Sequence, residues 1–157
     1  MNLRSLTNHL EASLVTEIES KRAALEWIEQ LERTLGGYDA EGFEGSVEAG
    51  ASLPGTDERN AKRRKRLIGE LAAAWGVPEG TLTLGSIARR LGAEGERLDV
   101  LREELRELVA SVLQRRRRLS SLIGLHRRVN TELMQLILGC ESEEQVHEGG
   151  SLVNAEA

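Results

Sequence analysis

Histidine, cysteine and clustered carboxylates are the residues able to do chemistry in this 157-residue chain, and their spacing gives them little to work with. The three histidines, His9, His126 and His147, are scattered, and no carboxylate follows His126 at the spacing a metal ion needs. Cys140 is the only cysteine, so neither an internal disulfide nor a thiolate zinc site can form, and a reducing compartment is expected. There is no H-E-x-x-H motif, no phosphate-cradling loop, and no Ser/His/Asp or Cys/His set in a recognisable context. Acid pairs such as Glu103-Glu104 sit in charged helical sequence, where they serve solubility, and Glu103 repels Glu107 one turn on. The chain is therefore expected to be no enzyme and to use no cofactor or metal.

Two basic runs invite a nucleic-acid reading. In Lys62-Arg63-Arg64-Lys65-Arg66, however, five consecutive residues point around the whole helix, and no aromatic is interleaved for base stacking. In Arg115 to Arg118, the first residue occupies a seam position of the last helix. There its stem can pack while its head pairs with an acid such as Glu17, Glu26 or Glu29. Ion-paired or solvated structural roles follow for both runs, and no nucleic-acid partner is expected.

The elements that carry these residues are helices. Aromatics make up 3% of the chain and charged residues 30%, a composition of long helices, not of sheets. The net charge of −5 is uneven: residues 37–56 and 140–157 carry acids alone, while 57–91 hold eight Lys/Arg against four Asp/Glu. No global attraction to nucleic acid or anionic lipid follows. The N-terminus runs straight into charged amphipathic sequence, and nowhere do about 18 apolar residues run together. A cytoplasmic location without membrane insertion is the expectation.

Residues 2–35 lack Gly and Pro, and Leu3, Leu6, Leu10, Leu14, Ile18, Leu25, Ile28, Leu31 and Leu35 recur at helical spacing, which predicts a long amphipathic helix ended by Gly36-Gly37. Residues 36–56, with six glycines and Pro54, read as a mobile connector, although Phe43 and Val47 suit a short amphipathic turn. A second helix is predicted from an N-cap at Asp57 to Trp75, closed by Gly76 and Pro78, and a short third from a Thr83 cap to Gly92. From 94 to 139 the chain reads as a coiled-coil helix. With Leu98, Leu105, Val112, Leu119, His126 and Leu133 at a, and Leu101, Leu108, Arg115, Leu122, Val129 and Leu136 at d, ten of twelve seam positions are apolar. His126 then reads as a polar seam residue that fixes register. Gly139 is expected to end the helix, and the acidic tail 140–157 to be disordered.

The fold class expected is all-α: an elongated antiparallel helical bundle or coiled coil, with two long helices and shorter middle ones, in a single domain over 1–139. Each long helix must bury its stripe. First and last helices lying along each other, with the second antiparallel beside them, give an up-down-up arrangement. The last helix exceeds the first by 46 residues to 34, so an overhang of about 18 Å is expected.

That overhang is the candidate site. The final third of the last helix is apolar around most of its circumference, with Leu122, Ile123, Leu125, Val129, Leu133, Leu136 and Ile137 as the partner-binding candidates, beside Met134 and Leu138. A stripe this broad meets two neighbours. Either the middle helices of the same chain cover it, or it is a groove for an amphipathic helix from another protein.

The order of the segments also resembles a known family. Arg66-Leu67-Ile68-Gly69-Glu70-Leu71-Ala72 leads to Trp75-Gly76-Val77. Then come Thr83-Leu84-Gly85-Ser86-Ile87-Ala88-Arg89-Arg90-Leu91 and Leu98-Asp99-Val100-Leu101-Arg102-Glu103-Glu104-Leu105, and a final Leu-rich helix with Val129-Asn130. Most of 57–139 in this order resembles the FlgN family of flagellar type III export chaperones. The resemblance implies a cytoplasmic helical chaperone that binds the C-terminal helical segments of hook-associated (hook–filament junction) proteins, prevents their premature association and delivers them to the flagellar export apparatus. It also implies that the last helix engages the cargo, with the chaperone a monomer or homodimer when cargo-free. A homodimeric coiled-coil structural or adaptor protein is the alternative.

Overall fold

A computed structural model describes residues 2–78 and 80–148, and the side chains of that set through Gly139. The helices in chain order are α1 (Leu3–Gly36), α2 (Ala40–Gly50), α3 (Leu53–Ala74), α4 (Leu84–Leu91), a 3-10 turn (Gly92–Gly95) and α5 (Glu96–Glu148). No strand occurs among the described residues, so the all-α expectation holds. The chain divides into two units, one up to Arg117 and one from Arg118 onward, with the boundary inside α5.

In the first unit the core is assembled from one stripe of each helix. Leu6, Leu10, Leu14 and Ile18 of α1 meet Leu67 and Leu71 of α3, Ile87 and Ala88 of α4, and Leu98 and Leu105 of α5. Ion pairs fix the directions. On α3, Asp57 pairs with Lys21 at 2.5 Å and Arg64 with Glu17, so numbers fall on α1 as they rise on α3, and the two run antiparallel. On α5, Arg97 pairs with Glu11 at 3.4 Å, Glu104 with Arg22, and Arg115 with Glu29 and Glu32 at 2.9 and 3.6 Å. Numbers rise together, so α1 and α5 run parallel and the up-down-up order stands. The last of these pairs falls close to the end of α1, which is why the packed unit stops near Arg117.

Local chemistry accounts for the helix ends. Asn2 caps α1, its side chain accepting from the Arg4 N–H at 3.3 Å. α3 closes where Gly76, at φ 64°, lets Val77 N–H reach the Ala72 carbonyl and its own N–H reach that of Ala73, at 3.0 and 3.1 Å. Thr83 and Ser86 exchange side-chain and backbone hydrogen bonds at the start of α4.

Four expectations are corrected. The stretch 36–56 is no mobile connector: Asp39 caps α2 by accepting from Gly42 N–H at 2.9 Å, and α2 folds back along α1. Its glycines lower helix propensity but permit close approach, since Trp27 Nε1 donates to the Ser46 carbonyl at 2.6 Å and a Cβ on Gly50 would overlap the Trp27 indole. α3 begins at Leu53, not Asp57, because Pro54 stands in the first turn, where its missing N–H is not needed. α1 ends at Gly36 with Gly37 as its cap, as expected, but the left-handed residue that follows is Tyr38, at φ 55°, and neither glycine. Finally, α5 passes through Gly139 to Glu148. One helical glycine costs about 1 kcal/mol, which good helix formers on either side outweigh. The rest of the expected disordered tail, 149–157, lies outside the described residues.

Gly50→Ala is expected to drive α2 off Trp27 and to cost about 1–3 kcal/mol, as overpacking does. Thermal unfolding followed by circular dichroism reads it. An unchanged midpoint with full helicity would show that the indole contact does not hold α2.

Candidate partner-binding surface

The seam of α5 begins as an ordinary buried stripe. In the first unit Leu98, Leu105 and Val112 are buried, Leu101 and Leu108 half-buried. Arg115, at the d position predicted to be polar, lays its guanidinium between Glu29 and Glu32. Of its three expected partners only Glu29 is used: Glu17 is taken by Arg64, and Glu26 is exposed.

The second unit is described by α5 alone. Leu119 is buried, and Leu122, Ile123 and His126 are half-buried. From there the large apolar side chains stand open: Leu125 is 52% exposed, Val129 43%, Leu133 52%, Leu136 65% and Ile137 56%. Met134 and Leu138 are exposed to a similar degree. All seven predicted residues therefore lie within 16 positions of one continuous helix, about 22 Å at 1.5 Å per residue. Their spacings of three, four and seven align them along one side. Monomeric proteins seldom leave so many contiguous large apolar residues in water, and such a patch marks an interaction surface. From Leu125 onward every one of these side chains is more than two-fifths exposed.

The other residues that drew attention are placed by their neighbours. Lys62 pairs with Glu58, Arg64 with Glu17 and Arg66 with Glu70, so the basic run radiates around α3 and three of its five charges meet three different acids. Glu103 is engaged by Arg102 and Arg106. Among the described residues no group of three or more His, Cys, Asp or Glu side chains is arranged to hold a metal ion. No helix among them is long and apolar enough to cross a membrane.

Sequence reasoning missed the arginines beside the stripe. Arg127 stands one turn from Ile123 and Arg128 one turn from Leu125, on opposite edges of the apolar strip. The available signal was the distribution of acids: from Leu108 to Gly139 the chain has six arginines and a single carboxylate, Glu132. Compared with protein-family models, with curated proteins and with solved structures, the chain matches none.

Proposed function

We propose that this chain is a non-enzymatic, cytoplasmic binding protein that takes an amphipathic helix of another protein onto the apolar stripe of α5. The observation that carries the reading is the exposure of Leu125, Val129, Leu133, Leu136 and Ile137, all between 43% and 65%. A helix laid along them removes apolar area from water, at about 25 cal/mol per Å² before ordering costs are subtracted. It also masks the partner's own apolar face from self-association.

The resemblance of residues 57–139 to the FlgN family gives the partner its proposed identity: the C-terminal helical segments of hook-associated proteins, held secretable and passed to the flagellar type III export apparatus. A heptad seam left open also suits a second copy of α5, and a homodimeric adaptor is the second reading. A chain ending at Leu125 tests the first. It retains the whole unit up to Arg117 and is expected to lose co-purification with the hook-associated C-terminal segments. Full retention of those segments would remove the proposal.

A further inference from the structure

We propose that the helix received by α5 is acidic along both flanks of its apolar face, a deepening of the docking reading just given and dependent on it. The apolar strip has an arginine at each edge and a single carboxylate, Glu132, on the same side as Arg128. Arg127 adjoins Ile123 at one edge and Arg128 adjoins Leu125 at the other. Both are exposed, and neither has an ion-pair partner among the described residues. Glu132 follows Arg128 by one turn, the less favourable order for an Arg/Glu pair on a helix, and the two do not pair. Other basic side chains also stand without an ion pair among the described residues, Arg63 and Lys65 of α3 among them, but those lie away from any exposed apolar strip. Arg64, Arg97 and Arg115 each reach an acid on another helix of their own chain. The arginines that border the open strip are left for an acid from outside.

Charge of this kind selects and steers a partner more than it tightens the complex. A flanking glutamate one or two turns along the incoming helix comes within reach of each guanidinium, whereas a lysine in its place meets repulsion. The seam pattern favours a helix over a lipid surface. Leu122, Val129, Leu133 and Leu136 continue the a/d repeat that begins at Leu98, the narrow geometry of helix on helix.

Two synthetic three-heptad peptides with the same leucine seam test the inference, one flanked by glutamates and the other by lysines. The full chain is expected to bind the glutamate peptide about tenfold or more tightly at low salt. That preference should shrink as salt shortens the Debye length to about 3 Å at 1 M. Arg127→Glu with Arg128→Glu should reverse the order while leaving helicity unchanged. If both peptides bind alike and both are lost from the chain carrying Leu133→Asp and Ile137→Asp, the docking surface survives and the charge inference is overturned. If neither binds, both fall. Release of the glutamate peptide by phosphatidylserine-containing vesicles, but not by pure phosphatidylcholine, would assign the surface to anionic membrane instead. A concentration-dependent dimer in sedimentation that excess glutamate peptide cannot dissociate would assign it to a second copy; either result overturns the inference.

Discussion

Leu133→Asp together with Ile137→Asp is expected to weaken capture of a helical partner by 100-fold or more while leaving the protein folded. Burying a leucine or isoleucine side chain contributes about 1.5–3 kcal/mol, so losing two removes roughly 3–6 kcal/mol, and each 1.4 kcal/mol is a tenfold change in affinity. A carboxylate in each place adds a desolvation penalty, because it must leave water to enter the interface. The fold is spared for a reason visible in the chain itself. Both positions are more than half exposed in the second unit, and none of the buried residues of the first unit comes from beyond Val112. The cost to the helix is one of propensity alone, below about 0.7 kcal/mol per site. Calorimetric titration with the hook-associated C-terminal segments, beside circular dichroism of each variant, separates the two effects. Undiminished affinity would remove the stripe from consideration as the docking surface.

The largest stability effect is expected at Arg64. Glu17 is buried in the α1–α3 interface, its side chain 7% exposed, and Arg64, at 28%, supplies its countercharge. Its second oxygen, Oε2, has no hydrogen-bond partner, so the carboxylate depends heavily on that guanidinium. Arg64→Ala leaves a buried charge uncompensated, which costs about 3–5 kcal/mol where burial is complete. The partial exposure of Arg64 lets water compensate in part and lowers this to roughly 2–4 kcal/mol. Replacing both residues, as Glu17→Met with Arg64→Met, is expected to restore parental stability or exceed it, since two packed thioethers need no solvation. Urea midpoints across the four proteins of this cycle give the result. A loss below about 1 kcal/mol in Arg64→Ala would mean that solvent, not Arg64, satisfies Glu17.

The legible parts of the fold were those written by local rules. The periods of α1 and α5, the Gly76 stop and the Thr83 cap each depend on neighbours a few residues away, and each stands as expected. What escaped depends on partners distant in sequence. α2 is a poor helix by composition and forms where Gly50 and Ser46 close on Trp27, a residue 19 positions before Ser46. The choice of Arg64 for Glu17 and Arg115 for Glu29 and Glu32 was open in one dimension, where many acids and bases are available. It closed once register was set. The candidate surface was legible as a surplus of apolar residues from Leu122 to Ile137. The exposure of each side chain from Leu125 onward is a property of three dimensions that periodicity does not encode.

The two indoles report on different places. Trp27 is hydrogen-bonded to the backbone of α2, and Trp75 lies beneath the Arg90 guanidinium at 4.9 Å. Their emission therefore monitors the hairpin and the α3–α4 corner, both before residue 117, while the segment proposed to meet a partner carries no aromatic of its own. Recognition along the distal rod will be optically dark, and a fluorophore must be introduced there before the encounter can be watched.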